Sequence, residues 1–210
     1  MLNAPLVKKV LKWFAGIGLV AAYILCVKQF ATIYSADVDF KLSQEYLNSG
    51  DFMTGLSYAN SAVEKNPNEP MYLRNRAKVY ILGSSGLDAE ANFTLKTLAL
   101  SDLQNAYKLN PENLATIRNV VPLYYFLSVQ DLTKPVTADN LDYKFLAYTK
   151  DFFIQNKNIS PNDVGIYVLM AKYENKLQMH GELTSSLEKI KQLRPDLLEW
   201  HESLQFYWDN

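Results

Sequence analysis

The chain has 210 residues, and its 21 Lys and Arg stand against 22 Asp and Glu for a formal net charge of −1. That length carries one ordinary domain plus a short anchor without covalent staples, and so even a balance supplies no field to gather nucleic acid. A single cysteine, Cys26, excludes a disulfide framework within the chain, while 14 Tyr and 10 Phe beside 8 Gly and 8 Pro point to long helices packed through aromatics, an all-α fold.

From Trp13 to Val27 the chain reads WFAGIGLVAAYILCV with no charge. As a helix this covers about 22 Å, short of a hydrocarbon core of about 30 Å. Val10 and Leu11 before it and Phe30 to Tyr34 after it extend the run to a full span, with Lys12 and Lys28 carrying their ammonium groups to the two interfaces and Trp13 and Tyr34 at opposite headgroup belts. Residues 10–34 are therefore expected to meet the lipid bilayer. A cleaved signal peptide shares the basic start and the apolar run, but Ile33 and Tyr34 stand where a cleavage site needs small residues, and Leu25 and Ile24 before Cys26 are too bulky for a lipoprotein signal. Lys8, Lys9 and Lys12 precede the span, whereas Asp37 and Asp39 follow Lys28 beyond it. That asymmetry predicts a single-pass protein with a cytoplasmic N-terminus and everything from about residue 36 on the other side. The expected division is 1–34 for N-terminus and anchor, then 36–210 for a helical domain.

Beyond the anchor one phrase recurs: EKNPNEP at 64–70, KLNPEN at 108–113, KNISPND at 157–163 and QLRPD at 192–196. Each ends an apolar helix on a proline that stops it and starts the next. Ahead of Pro67, Gly50 and Asp51 mark a turn, Tyr46 packs in the helix before it, and Gly55, Ala59 and Ala62 space the helix after it, which makes a helix-turn-helix unit. In these residues the chain resembles the tetratricopeptide repeat family, whose units of about 34 residues carry small and aromatic residues at such spacings and end on proline. The resemblance implies a solenoid of four hairpins that binds a partner in its concave groove.

The first unit, about 36–69, matches best. In the second, Leu73, Ala77 and Tyr80 fit the first helix and Ala99, Leu103 and Ala106 the second, with an insert GSSGLDAEAN at 83–92 that reads as loop. The third keeps Ile117, Val120 and Tyr124, then Phe153, around a longer insert, VQDLTKPVTADN. The fourth returns to register with Tyr167, Met170 and Ala171, then Leu183, Leu187 and Ile190, and LLEWHESLQFYW would cover the end of the stack. The inserts read either as partner-specific loops or as tolerated length. The order of apolar helix, short acidic spacer and repeat over about 1–128 also looks like the tail of bacterial O-antigen ligase and polymerase proteins. That likeness implies an accessory or detached repeat module touching glycan or its assembly machinery, without the membrane helices that carry the transfer chemistry.

No motif for chemistry emerges. His180 and His201 have no second His or Cys at metal-ligand spacing, GSSG at 83–86 lacks the lysine of a phosphate loop, and no GxSxG elbow is present. The expectation is a non-enzyme without metal or cofactor, a scaffold for protein interaction at the cell envelope. In a tetratricopeptide stack the first helix of each unit lines the groove, which here presents Gln44 and Asn48, Arg74 and Lys78, Arg118 and Tyr125, and Lys172. Four inward cations favour an acidic peptide, a C-terminal carboxylate or an anionic glycan. Aromatic platforms on that face would favour glycan.

Overall fold

The computed structural model describes residues 4–111, 113–200 and 204, and of 4–12, 15 and 200 the backbone alone. The described residues form α1 Ala4–Asn48, α2 Phe52–Lys65, α3 Pro70–Ser84, α4 Ala89–Leu109, α5 Leu114–Leu127, α6 Tyr143–Ile159, α7 Val164–Lys176, α8 His180–Leu193 and α9 Leu197–Trp200. A short 3-10 turn, Ala138–Asn140, and one antiparallel bridge between Val129 and Leu141 interrupt the helices. The chain is all-α, with four antiparallel hairpins in series, as expected.

Local chemistry explains where the helices start. Asp51 accepts the Thr54 N–H, Asp88 those of Glu90 and Ala91, Asn113 that of Thr116, and Asp163 those of Gly165 and Ile166. Each cap satisfies backbone donors that the first turn leaves open. Glu69 does the same for Met71, with Pro70 in the first turn, where a missing N–H costs nothing. Pro67, Pro111, Pro161 and Pro195 all lie in turns, whereas Pro122 stands inside α5.

The turn within a hairpin also repeats. At the end of α1 Asp51 N–H reaches Tyr46 O, with Gly50 at φ +83; at the end of α7 Met179 N–H reaches Glu174 O, with Gln178 at φ +57. Both are left-handed helix stops, relaxed for glycine and strained for glutamine. The expected small residues do bring helices together. Ala59 and Ala62 are buried, and a Cβ on Gly55 would meet Ser43 O at 3.3 Å and Leu47 N at 3.4 Å, so α2 lies directly against the α1 backbone.

Paired helices pack as α1 on α2, α3 on α4, α5 on α6 and α7 on α8. The first helices also touch in a row, α1 to α3, α3 to α5 and α5 to α7, whereas among the described residues neither α2 with α4 nor α4 with α6 makes such backbone contact. The stack is therefore closed along one side and splayed along the other. Its largest core cluster runs from Ala77 to Met179 and includes Leu103, Ile117, Val120, Phe153, Ile166 and Met170, all fully buried. At the C-terminal end Leu198 and Leu204 pack against Tyr167, Ala171 and Ile190, and the rest of the expected end helix lies outside the described residues.

The structure corrects one expectation, the loop at 83–92, and defines the acidic stretch that the sequence left without a conformation. That stretch is helical: α1 runs without a break from the apolar run into the first hairpin, and burial changes abruptly from Tyr34, 72% exposed, to Ala36, fully buried. Asp37 and Asp39, the spacer's acids, are used in packing. Tyr72 donates to Asp37 at 2.5 Å, and Asp39 accepts from Lys65 at 2.5 Å and Ser61 at 2.6 Å, while Lys65 also reaches Ser35 at 2.8 Å. Burial alone would raise the Asp39 pKa, but the hydrogen bonds from Lys65 and Ser61 outweigh it and hold the carboxyl below its ordinary value.

The insert 83–92 is mostly helix, not loop. Gly83 and Ser84 end α3, only residues 85–88 turn, and Ala89 to Asn92 begin an α4 of 21 residues. Asp88 supplies the cap that permits the extra turns, and the extension has something to pack on: the second insert. Leu132 N–H donates to Ser85 Oγ, Phe93 meets Phe145 at 5.8 Å, and Lys96, 1% exposed, donates to Val129 O at 2.7 Å and Asp142 Oδ2 at 3.0 Å. The two inserts form one joined feature.

Candidate partner-binding groove

Gln44 and Asn48 are exposed on α1, Arg74 is half-buried and Lys78 exposed on α3, Arg118 is exposed on α5, and Tyr125 and Lys172 are half-buried on α5 and α7. All seven sit on the first helices, which touch one another in a row. Arg74 and Arg118 stand at the same distance from the caps Glu69 and Asn113, and Lys78, Pro122 and Lys172 share a later position. Arg74 and Arg118, and Lys78 and Lys172, thus occupy equivalent positions on the first helices.

The cations of this row stand outside the ion pairs of the described residues, as do Lys41, Lys108, Lys144, Lys176, Lys189 and Lys191. Ion pairs join Lys65 to Asp39, Arg76 to Asp102, Lys96 to Asp142, Lys134 to Asp131, Lys150 to Glu182, Lys157 to Glu174 and Arg194 to Asp196. Among the described residues, Arg74, Lys78, Arg118 and Lys172 belong to none of these pairs. Arg76 shows the contrast: two residues from Arg74, it forks onto Asp102 with both contacts at 2.7 Å. Burial pushes the Arg74 pKa down, opposed by the charge of Glu69. Such a cation, partly desolvated and without an acid at contact distance, gains most from an anionic ligand.

At the α5–α7 contact the Arg118 guanidinium lies over Gly165, where a Cβ would come within 3.0 Å of Nη2. Tyr125 packs on Tyr173 at 5.2 Å and on Phe126 at 5.1 Å, and Lys176 lies 5.5 Å from the Tyr125 ring and 5.8 Å from the Tyr173 ring. Burial raises the pKa of both the Tyr125 and the Tyr173 phenol, so they act as neutral groups. Lys176 and Tyr173 extend the candidate site beyond the residues read from sequence. Lys176 follows Lys172 by one helical turn and was legible from that spacing; Tyr173 needed the α5–α7 contact.

His180 is exposed at the start of α8, and His201 lies outside the described residues. No group of three or more His, Cys, Asp and Glu among the described residues could hold a metal. Cys26, expected in an apolar setting, is exposed on the outside of α1.

No protein-family model and no curated protein sequence matches the chain. Among solved structures it is similar to TTC0263, a thermophilic TPR protein of Thermus thermophilus, with 15% identity and a TM-score of 0.47 over 83% of this chain and 82% of that one. It is also similar to pilF of Pseudomonas aeruginosa, with 14% identity and a TM-score of 0.35 over 85% of this chain and 99% of that one. The hairpin architecture rests on the packing described above.

Proposed function

We propose that this protein is a membrane-anchored scaffold of tetratricopeptide type at the cell envelope, which holds an acidic protein segment in the groove formed by α1, α3, α5 and α7. The observation that carries the reading is the row of cations without ion pairs. Arg74, Lys78, Arg118 and Lys172 share one side of the stack, while the buried Lys96 and the half-buried Lys65, Arg76 and Lys157 are matched to acids, Lys189 alone among the other half-buried cations of the described residues having no ion pair. Arg74 and Arg118 suit bidentate contact with carboxylates, and Gln44 and Asn48 offer amides at the entry end. Lys176 adds a fifth cation beside Tyr125.

The anchor reading is supported by α1 itself. Over Gly16–Asn48 the helix is long and apolar enough to cross a membrane, with a mean hydropathy of 1.7 in its best window and none of that window buried. Trp13, Phe14, Leu19, Tyr23, Leu25, Phe30 and Tyr34 all point away from protein. On the flanking charges the N-terminus is cytoplasmic and the groove lies across the membrane. The division into an anchor over 1–34 and a repeat domain over 36–210 then falls within one helix, so the groove is held at a set angle to the bilayer.

An anionic glycan would use the same cations. A protein segment is preferred because the rings on this face, Tyr125 and Tyr173, pack on each other beneath Lys176 and do not lie open as sugar platforms. The test is capture from envelope extract by the full chain in detergent, wild type against Arg74→Glu plus Arg118→Glu, with folding matched by circular dichroism. An acidic protein retained by wild type alone is the expected result. Equal capture by both overturns the groove reading.

A further inference from the structure

The helix that carries the apolar stretch is also the first helix of the stack, and no linker separates the two. With the span ending at Tyr34, Ala36 is already fully buried in the first hairpin two residues later. That step covers about 3 Å of helix, less than the depth of one headgroup layer, about 5–7 Å. Whatever packs beside Ala36 therefore stands at the membrane surface.

Contacts with α1 show which parts these are. Lys65, the last residue of α2, donates to Ser35 at 2.8 Å, which brings the turn 66–69 to the same level. Tyr72, at the start of α3, donates to Asp37 at 2.5 Å, and Ala106, near the end of α4, is buried in one cluster with Ala36, Ala62 and Tyr72. Because α4 runs antiparallel to α3, it descends toward the bilayer. Leu109 ends α4 three residues past Ala106, about 4.5 Å further down and so at about the level of Tyr34. Leu114 opens α5 directly after the turn, and both leucines are exposed.

We propose that the ends of the first two hairpins, the turn 66–69 and the segment 109–114, lie in the headgroup layer of the bilayer that α1 crosses, with Leu109 and Leu114 at the acyl-chain boundary. This rests on the anchor reading of α1, and continuity with that anchor is what assigns lipid to the surface. Its chemistry agrees. Among the described residues, the exposed side chains of the two turns, Pro67, Asn68, Asn110, Pro111 and Asn113, carry no charge, and Glu69 is taken up in capping α3 through the Met71 N–H. Amides exchange hydrogen bonds with water and lipid esters without the cost of desolvating a charge. Lys108, exposed beside Leu109, is long enough to carry its ammonium back to the phosphates. Hairpin ends resting on lipid to one side of α1 oppose tilt of the helix toward that side. The first helices then stand upright on the bilayer, and the groove across them runs along its surface.

The far ends of the same hairpins supply the controls. Asn48, where α1 stops, is about 21 Å above Tyr34, and Met53 and Leu87 are exposed in that region. The experiment places one nitroxide label at a time on the full chain in phosphatidylcholine nanodiscs, with Cys26→Ala removing the native thiol. Power-saturation EPR then compares collisions with oxygen, which concentrates in lipid, and with a water-soluble nickel chelate. Labels at Leu109→Cys and Leu114→Cys are expected to favour oxygen over the chelate several-fold more than labels at Met53→Cys and Leu87→Cys. A third label, Ile24→Cys in the apolar stretch, reads the anchor separately. All five positions are exposed, so the labels displace no core packing. If Ile24→Cys reports lipid while Leu109→Cys or Leu114→Cys is as open to the chelate as Met53→Cys, the surface contact is overturned and the anchor stands. If Ile24→Cys itself reports water, anchor and contact fall together.

Discussion

Replacing Asp142 with asparagine tests how α4 is held to the start of α6. In the native chain the Lys96 ammonium is 1% exposed and uses two of its donors on Val129 O at 2.7 Å and Asp142 Oδ2 at 3.0 Å, with the Phe145 ring 5.4 Å away. The substitution Asp142→Asn would leave a buried cation facing neutral groups only. Removing one partner of a buried pair costs about 3–5 kcal/mol, and because the Asp142 side chain is 19% exposed and admits some water, the lower end applies. A loss of about 3 kcal/mol in a chain of this size lowers the melting temperature by roughly 6–12 °C. The loss also depends on pH. Burial lowers the Lys96 pKa from its ordinary 10.5 against the opposing pull of Asp142, so the folded state carries the penalty of a buried charge at neutral pH and sheds it as pH rises through the lowered value. Thermal unfolding followed by circular dichroism at pH about 7 and about 10 should show the Asp142→Asn variant recovering part of its deficit relative to wild type at the higher pH. Lys96→Met combined with Asp142→Asn should be close to wild type in stability, since an apolar side chain replaces the charge. A single variant that loses less than about 1 kcal/mol, or a double variant no better than the single, refutes the clamp.

Gln178→Gly should stabilise the chain by about 1 kcal/mol, because a left-handed residue with a Cβ gives way to one without, as already at Gly50; chemical denaturation at equal slope measures it, and a loss of stability would show that the glutamine side chain has a use of its own. Asp39 predicts an acid limb. Its folded pKa lies below the ordinary 3.8, so its contribution is complete above 3.8 and disappears as pH falls through the lower folded value. Melting temperatures of wild type should therefore fall with pH below about 4 more steeply than those of Asp39→Asn, and parallel curves would remove Asp39 from the account.

The hairpins were legible because their signals are local. Asp51, Asn113 and Asp163 sit next to the helices they cap, Pro67, Pro111, Pro161 and Pro195 lie in the turns, and Ala59, Ala77, Ala99 and Ala171 each stand on the inward face of their own helix, where all are fully buried. The seven candidate residues Gln44, Asn48, Arg74, Lys78, Arg118, Tyr125 and Lys172 were placed on the first helices by the same periodicity. The insert at 83–92 was misread for a related reason: Gly, Ser and Asn signal a turn by composition, but only residues 85–88 turn, because α4 gains a packing surface from Val129, Leu141 and Phe145, far along the chain.

What the sequence by itself determined is the helical class, the number of hairpins and the apolar run of α1, all properties of neighbouring residues. Tertiary structure alone decided which charges find partners. Arg74 and Arg76 are two positions apart and chemically identical, yet Arg76 is turned toward Asp102 on α4 while Arg74 is half-buried outside any ion pair. Nothing local distinguishes Lys96, buried on Asp142, from Lys78, exposed on α3. A cation's role depends on what the next helix brings to it, and that is settled only when the helices stack.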